Sequence, residues 1–377
     1  MTKMIREIAI VGGGPAGAYL GYLLAKNGKK PILFDHSHPR EKPCGGGISV
    51  LAIEKFPFLK SIPEEKVPEN EIELISPDGL SVMTAGNKSS WTLSRLVLDK
   101  FILDKAIKQG CKLIDEQVID VKLKDNIWNI KTKEGFYKAK LVVGADGVNS
   151  LVRRRILGPI PKIDTGICYG CFAKSNKREI SRVKYFKNKQ GYAWCFPRND
   201  HLSIGVGIET SSSKNIKAML DDFLSEYYPD IEIQSKWGAK IPNVKNEEFF
   251  TLPCSGDNWI LIGDAAGHVD SLTGEGITYA LWSAELAAEG ILNENPKLFD
   301  ILWRNEYGEK LIDSCKMRNF FYNPRLLEYS IRLASRSKAF SNLLYEMMTN
   351  QQDSQNLLKT IPLKLPKIIK EYVQSKL

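Results

Sequence analysis

A glycine-rich turn near the start of the chain constrains its fold more than any other segment. Gly12-x-Gly14-x-x-Gly17 follows the short apolar run IAIV and precedes apolar residues at helical spacing. Backbone N–H groups in such a turn, together with the positive end of the following helix, can bind a pyrophosphate. Asp35 ends the next predicted strand, about 20 residues on, where a carboxylate can bond a ribose. The turn predicts a βαβ unit that binds a dinucleotide; a plain strand-to-helix connection is the alternative.

Later segments predict the rest of the architecture. Residues 140–147 and 258–267 have the pattern of short buried strands that end in Gly or Asp, which indicates further strands of the same parallel sheet. Alternating segments at 71–86 and 163–210 predict one antiparallel sheet inserted in two parts. From about residue 277 the pattern is helical to the end of the chain.

These patterns predict an α/β fold: a Rossmann-type dinucleotide-binding domain, an inserted antiparallel β-sheet that forms a substrate domain, and a helical C-terminal region. The predicted boundaries are 1–70, 91–160 and 254–295 for the dinucleotide-binding domain, 71–90 and 161–253 for the substrate/catalytic domain, and 296–377 for the helical region.

The cysteine content and the length of the apolar runs indicate the cellular compartment and the relation to the membrane. The seven cysteines form an odd set without a disulfide framework, which favours a reducing compartment and predicts a cytoplasmic protein. Cys168 and Cys171 lack a second pair at zinc-site spacing, so no metal is expected. We expect no signal peptide, since only the short apolar run IAIV separates Arg6 from the glycines, and no transmembrane helix, since no run of about 18 apolar residues occurs. The net charge of +9 could favour anionic surfaces, but a solvated lysine-rich surface explains most of it more simply, and no nucleic-acid partner is expected.

Three further segments resemble the FAD-binding motifs of the flavoprotein family that includes aromatic hydroxylases and geranylgeranyl reductases. They are WTLSRLVLD at 91–99, GADGVNS at 144–150 and GDAAGHVDSLTGEGI at 263–277. The resemblance implies that FAD is the cofactor, that Asp264 bonds the flavin ribitol and that Arg95 lies along the cofactor. It also places Asp146 and Gly147 near the pyrophosphate. The backbone of Val118 would meet the adenine, although Val118 could equally be an ordinary strand residue.

Gly274-Glu275-Gly276-Ile277 is predicted to begin a helix. A helix N-terminus carries roughly half a positive charge, so bare backbone amides aimed at the flavin would stabilise the negative charge of the reduced ring. The alternative is a glycine-rich connection to a buried helix. Together, the predicted cofactor-binding residues are Gly12, Gly14, Pro15, Ala16, Gly17, Asp35, Cys44, Gly45, Gly46, Arg95, Val118, Asp146, Gly147, Gly263, Asp264, Gly274, Gly276 and Ile277.

Two shorter motifs make the resemblance to geranylgeranyl reductases more specific. KPCGGG at 42–47 resembles the Cys-Gly-Gly-Gly motif that lines the catalytic face of the flavin in that family, and YAWCFP at 192–197 matches its Tyr-x-Trp-x-Phe-Pro signature. Glycine loses more backbone freedom on folding than other residues, so an unbroken trio suggests that something lies close against this backbone. Lys189 and Ser271 depart from the family pattern, which usually has proline at both positions.

Cys44, Tyr192 and Trp194 are the predicted catalytic residues. Cys44 would act either as a proton source or as a thiol that tunes the flavin, and a small buried hydrophobe is the alternative. Tyr192 and Trp194 lie two residues apart on a predicted strand, so their rings should share one face. They would form an aromatic wall for a prenyl chain, unless they are ordinary core packing.

The resemblance implies FAD-dependent reduction of C=C double bonds in polyprenyl groups, by hydride from flavin N5 plus a proton. The substrate would be a prenylated lipid or a prenyl diphosphate. The electron donor stays open: it could be reduced ferredoxin, NAD(P)H or another carrier. A flavin-dependent monooxygenase or halogenase shares the FAD motifs and is the first alternative. An electron-transfer flavoprotein is the second, although the sequence has no iron–sulfur cysteine pattern.

The end of the chain predicts a basic amphipathic helix that begins at Pro366. Its apolar face consists of Leu365, Ile368, Ile369, Tyr372 and Val373, with Lys367, Lys370 and Lys376 off that face. Such a helix could lie on an anionic membrane, which would make the protein peripheral, or could dock on its own protein.

Overall fold

The computed structural model describes residues 5–62, 66–174, 179–212, 214–351 and 354–375, with the backbone alone described at 354–359. The chain divides into two compact units. Unit 1 comprises Met1–Lys42, Arg95–Asp164 and Pro242–Ile312, and unit 2 comprises Pro43–Ser94, Thr165–Ile241 and Asp313–Leu377.

Strands and helices alternate in unit 1, whereas unit 2 is built on a single sheet with helices. In chain order the strands are β1 (Ile5–Val11), β2 (Ile32–Phe34), β3 (Gly47–Ile48), β4 (Val67–Ile75), β5 (Ser81–Thr92), β6 (Lys112–Ile114), β7 (Val118–Lys124), β8 (Ile127–Thr132), β9 (Phe136–Gly144), β10 (Thr165–Lys174), β11 (Ser181–Tyr185), β12 (Gly191–Pro197), β13 (His201–Glu209), β14 (Ile233–Pro242) and β15 (Trp259–Leu261). The helices are α1 (Pro15–Lys26), α2 (Val50–Lys55), α3 (Arg95–Gln109), α4 (Leu151–Ile156), α5 (Ile216–Tyr227), α6 (Ile277–Leu292), α7 (Leu298–Trp303), α8 (Glu309–Phe321), α9 (Pro324–Ala334), α10 (Lys338–Met348) and α11 (Ser354–Gln374). A π-helical turn, Arg304–Gly308, joins α7 to α8.

The sheet of unit 1 is parallel at its centre. Strand β1 lies between β2 and β9, β6 flanks β2, and β15 also pairs with β9, all in parallel. The hairpin of β7 and β8 extends β9 in antiparallel fashion. Central strands covered on both faces need continuous apolar runs, which β1 and β9 supply at their carboxyl ends. The predicted βαβ unit and the further parallel strands are confirmed, and with them the α/β fold.

The sheet of unit 2 has the strand order β14-β10-β13-β12-β11-β4-β5-β3. The predicted single sheet made from two inserted parts is confirmed, but it is mixed, because β11 and β4 pair in parallel where the two parts meet. One face of β10, β12 and β13 packs against α5. On the opposite face, β4 and β11 pack against residues of α9 and α10.

The two units divide the chain differently from the predicted domains. Residues 43–70 belong to unit 2, because β3 pairs with β5 and β4 pairs with β11. The predicted C-terminal region is shared, since the chain as far as Ile312 belongs to unit 1 and the rest to unit 2.

Helix α11 departs from the sequence prediction at its start. It begins at Ser354, so Pro366 lies inside the helix and does not begin it. Ile368 is buried against Ala339 and Leu343 of α10. Among the described residues, no helix combines the length and hydropathy required to span a bilayer.

Candidate active site

The glycine turns of unit 1 meet at the carboxyl edge of its parallel strands. A side chain at Gly12 would overlap the carbonyl of Ala145, so the turn after β1 needs glycine to lie against the turn after β9. A Cβ at Gly263, after β15, would lie 3.2 Å from the Cβ of Ala16 in α1 and 3.5 Å from that of Ala280 in α6. Three motifs far apart in sequence therefore form one backbone cradle, the usual ligand position in a doubly wound sheet.

The first turn of α1 suits a phosphate. Gly14 is its N-cap and supplies no side-chain cap, and no heavy atom lies within 4 Å of a Cβ built at Gly14. Pro15 occupies the first helical position, where its missing N–H costs nothing. Open space beside uncapped amides is the arrangement that binds a pyrophosphate, so these residues fit a dinucleotide cofactor.

Asp35 follows β2 as predicted. Its carboxylate accepts hydrogen bonds of 2.7 Å from the Gly13 N–H and 2.7 Å from the Ser37 N–H. Burial opposes ionisation, but the bonds from Ser37 and Gly13 outweigh it and hold the pKa of Asp35 below its ordinary value. A charged acceptor therefore stands beside the glycine turn, where a ribose hydroxyl can donate to it.

Asp264 forms an ion pair that the sequence analysis missed. Its Oδ2 lies 3.6 Å from Nζ of Lys42, the last residue of the first segment of unit 1. Asp264 keeps part of its side chain exposed, so it can still accept a bond from a ribitol hydroxyl. One feature of the sequence pointed to Lys42 as a residue of the site, because it immediately precedes the Pro-Cys-Gly-Gly-Gly motif.

Arg95 and Asp146 are engaged with their own helices. The Arg95 guanidinium is buried and binds Asp99 through two bonds, of 2.7 and 2.8 Å. Asp146 accepts bonds from the N–H groups of Leu151 and Val152 at the start of α4, and burial raises its pKa. Their predicted contacts with the cofactor remain predictions. In the structure Arg95 is held by Asp99 within α3, and Asp146 caps the N-terminus of α4.

Two other predicted cofactor positions lie at the ends of elements. Val118 is the first residue of β7 and pairs with Thr132. Gly276 is the N-cap of α6, but Glu275 accepts a bond of 2.8 Å from the Thr278 N–H. The Thr278 N–H is therefore already bonded to a carboxylate, while the contacts predicted for Gly274, Gly276 and Ile277 with the flavin remain predictions.

His268 anchors the loop that carries Asp264. It is fully buried, with Nδ1 3.0 Å from the Tyr307 hydroxyl and Nε2 3.8 Å from Sγ of Cys254. Burial lowers the pKa of His268 to about 3, so its ring is neutral at physiological pH. These contacts favour a structural role for the histidine, which holds the loop in place through Tyr307 and Cys254.

In unit 2, the backbone of Cys44 is held by two donors that the sequence analysis missed. Its carbonyl accepts bonds of 2.8 Å from Oγ of Ser203 and 2.8 Å from Nη2 of Arg198. The N–H of Gly46 points at Sγ of Cys44, at 3.3 Å. These bonds fix the loop that carries the thiol. Ser203 and Arg198 belong to no motif that would have predicted this role.

The first glycine after Cys44 packs against the second signature motif. A Cβ at Gly45 would lie 2.6 Å from the ring of Phe196 and 3.6 Å from Nε1 of Trp194. Gly46 has a φ of +79° and lies against the carbonyl of Leu93. Within unit 2, the YAWCFP strand is therefore the close neighbour of Gly45, and the Leu93 carbonyl is that of Gly46.

Tyr192, Trp194 and Phe196 share one face of β12, as predicted, and we call this side of the sheet the aromatic face. The ring centroids of Tyr192 and Trp194 are 5.9 Å apart. The neighbouring strand β13 presents Gly207 opposite Tyr192, Gly205 opposite Trp194 and Ser203 opposite Phe196. The alternate residues of β12 and β13 face α5, so the aromatic face has a floor of small residues.

A third strand completes the aromatic face. Cys168 of β10 is paired with Gly207, and burial raises the pKa of its thiol to about 12. Gly170 pairs with Gly205, and a Cβ there would lie 2.5 Å from the ring of Trp237. The indole rings of Trp194 and Trp237 cover Gly205 and Gly170, so a side chain would not fit at either position.

Comparison with known proteins decides the family. A family model described as geranylgeranyl reductase catalytic domain matches residues 164–240, and one described as NAD(P)-binding Rossmann-like domain matches residues 10–41. An uncharacterized protein of Methanosarcina barkeri is 30% identical over 347 residues, which cover 86% of each chain. A digeranylgeranylglycerophospholipid reductase of Methanococcus vannielii is 28% identical and covers 83% of this chain and 85% of its own.

The chain belongs to the geranylgeranyl reductase family. This family member is an FAD-dependent oxidoreductase. The catalytic-domain match begins just before β10 and ends within β14, so it spans the aromatic face, while Cys44 comes from an earlier segment of the same unit.

Solved structures confirm the fold of this geranylgeranyl reductase family protein. A geranylgeranyl bacteriochlorophyll reductase-like protein of Thermoplasma acidophilum superposes with a TM-score of 0.80 at 19% identity, covering 98% of this chain and 99% of its own. The flavin-dependent brominase Bmp2 gives 0.68 at 20% identity, covering 93% and 100%. Since such identities show the fold alone, the fold does not separate reductase from halogenase chemistry.

Proposed function

We propose that this protein reduces C=C double bonds of polyprenyl groups carried on a phosphate-bearing molecule, either a prenylated lipid or a prenyl diphosphate. Relatives named digeranylgeranylglycerophospholipid reductase and geranylgeranyl diphosphate reductase support this class of substrate. The observation that carries the proposal is the contact between Gly45 and Phe196, which joins the Cys44 loop to the aromatic face within one unit.

The aromatic face provides apolar side chains that can contact a hydrocarbon chain. Tyr192, Trp194 and Trp237 supply aromatic rings, and Gly207 adds no side chain between Cys168 and Tyr192. Burying a hydrocarbon chain gains about 0.8 kcal/mol per CH₂. A polyprenyl group has many such carbons, so this face can hold it without polar contacts.

The reaction needs a hydride on one alkene carbon and a proton on the other. Reduced FAD, when bound, supplies the hydride. The Cys44 thiol supplies the proton, and its position is fixed by Ser203, Arg198 and the Gly46 N–H. Each double bond reduced gains two hydrogen atoms, and the thiol regains its proton from solvent.

An anaerobic single turnover tests the proposal. The dithionite-reduced holoenzyme is mixed with digeranylgeranylglycerophospholipid or with geranylgeranyl diphosphate, flavin reoxidation is followed by absorbance, and the product is weighed by mass spectrometry. We expect a gain of two mass units per bond, lost in Cys44→Ala and retained in Cys171→Ala. Cys171 is the matched control, because it lies on the opposite face of the same sheet. Reduced flavin that reoxidises only when air enters would overturn the proposal in favour of an oxygen-using flavoenzyme.

Helix α11 supplies a surface for a lipid bilayer, and we include peripheral docking in the proposal. Leu363, Leu365, Ile369 and Val373 are 82%, 45%, 52% and 51% exposed, while Ile368 beside them is buried. Lys367 and Lys370 are also exposed on this helix. Exposed apolar side chains flanked by lysines are complementary to an anionic bilayer, the surface on which a prenylated lipid would be met.

A further inference from the structure

The aromatic face ends in a buried charged pair. Along β13 the residues on this face are Ser203, Gly205, Gly207 and then Glu209, because side chains two residues apart share a face. Glu209 therefore lies roughly 7 Å beyond Gly207 along the strand. After His201 at the start of the strand, it is the next ionisable side chain on this face of β13, directly after the position flanked by Cys168 and Tyr192.

Arg318 of α8 pairs with Glu209. Its Nη2 lies 3.1 Å from Oε1 of Glu209, and the two side chains are 3% and 11% exposed. Nε and Nη1 of Arg318 are also buried but have no hydrogen-bond partner among the described residues. Buried guanidinium donors are normally satisfied, since an unpaired one forfeits its hydration without replacement. Glu209 thus uses one side of the guanidinium and leaves the rest for another acceptor.

A second cation, Lys189, lies near the same end of β13, and an anion is the acceptor that a guanidinium binds best. Lys189, in the turn before β12, donates to the carbonyl of Ser212 at 3.2 Å, three residues beyond Glu209. Gln190 binds Asn319, the neighbour of Arg318, at 2.9 Å. The turn that carries Lys189 and Gln190 therefore lies beside the segment that follows Glu209 and beside α8. The ring centroid of Tyr322 lies 5.8 Å from the guanidinium carbon of Arg318.

We propose that Arg318 binds a phosphate oxygen of the substrate's polar head, with the prenyl chain lying along the aromatic face. The inference rests on the proposed function and adds the residue that recognises the head. A guanidinium matches phosphate geometry better than an ammonium group does. Protein atoms cover Nε and Nη1 in this structure, so the side chains around them must shift when the polar head enters. Glu209 is bonded to Arg318 through Nη2 alone, so Nε and Nη1 can bind the phosphate after that shift.

Substrates with and without phosphate test this assignment. Wild-type holoenzyme, Arg318→Met and Arg318→Lys are compared on geranylgeranyl diphosphate, on digeranylgeranylglyceryl phosphate and on geranylgeraniol, which has no phosphate. Arg182→Met is the matched control: Arg182 is ion-paired with Glu73 on the opposite face of the same sheet. We expect Arg318→Met to lower kcat/KM about 10–100-fold for the phosphate-bearing substrates only, and Arg318→Lys to lower it less. The substrate with the larger loss identifies whether a diphosphate or a lipid phosphate is recognised.

Equal losses on all three substrates, or no loss on any, would overturn the assignment. If Arg318→Met does not fold, Arg318→Lys gives the same comparison. If the wild type reduces none of the three, the proposed function fails, and calorimetric titration of the holoenzyme with inorganic pyrophosphate still decides the site. Binding weakened in Arg318→Lys and kept in Arg182→Met supports it, whereas equal binding in all three proteins overturns it.

Discussion

The ring of Phe196 packs on the backbone of Gly45, so closely that a Cβ there would lie 2.6 Å from the ring. This contact links the two motifs that resemble the geranylgeranyl reductase signatures, although about 150 residues separate them. It fixes the loop of Cys44 on the aromatic face.

Replacing Gly45 by Ala should therefore displace the loop. We expect the free energy of unfolding to fall by about 1–3 kcal/mol, as for other overpacked sites, and the anaerobic turnover rate to fall with it. Urea denaturation and single-turnover absorbance measure the two effects. Gly47→Ala is the control, because nothing lies within 4 Å of a Cβ at Gly47. Equal behaviour of the two variants would contradict the packing argument.

Gly14→Ala should separate cofactor binding from folding. The position has room for a methyl group in the protein and a φ of −66° that alanine tolerates, so the apoprotein should keep its Tm. FAD affinity, measured by fluorescence titration, should fall at least about tenfold because the methyl group occupies the phosphate position. Gly12→Ala should instead destabilise the apoprotein, since its Cβ overlaps the carbonyl of Ala145. A Gly14→Ala protein with unchanged FAD affinity would place the pyrophosphate elsewhere.

His268 should make stability depend on pH in acid. Burial lowers its pKa in the folded protein to about 3 from an ordinary 6.5, so below 6.5 the unfolded chain binds a proton that the folded protein does not. Its contribution to stability is complete above that ordinary value and is lost as the pH falls from 6.5 towards 3, by up to about 1.4 kcal/mol per pH unit. Urea unfolding across this range should show a shallower pH dependence in His268→Asn than in wild type. The exposed His36, changed to Asn, serves as control and should leave the slope as it is.

Helix α11 should bind anionic vesicles. We expect Ile369→Glu/Val373→Glu to reduce co-sedimentation with phosphatidylglycerol vesicles about tenfold, because two exposed apolar side chains are replaced by charges of the wrong sign. Phe136→Glu is the matched control, since Phe136 is similarly exposed in unit 1. Vesicle binding that survives the double change would remove the membrane from the proposal. If gel filtration instead shows that the change dissociates a dimer, the occupant of this surface is a second copy of the chain.

The sequence by itself determined the elements whose residues act locally. Strand β1, the glycine turn, helix α1 and Asp35 form a contiguous βαβ unit, so spacing alone predicted them. Alternation on β12 was enough to place Tyr192 and Trp194 on one face. The family motifs then supplied the identity of the cofactor.

Only the tertiary structure decided which distant residues meet. Ser203 and Arg198 bind the Cys44 carbonyl and Arg318 lies against Glu209, and none of these four side chains belongs to a recognisable motif. Lys42 and Asp264 do belong to motifs, but the motifs alone do not show that the two side chains pair. The register of β13 between β10 and β12 selects these partners, because a shift of one residue would turn Glu209 and the glycines to the opposite face. Register depends on the burial of whole strands, which a single local segment does not contain.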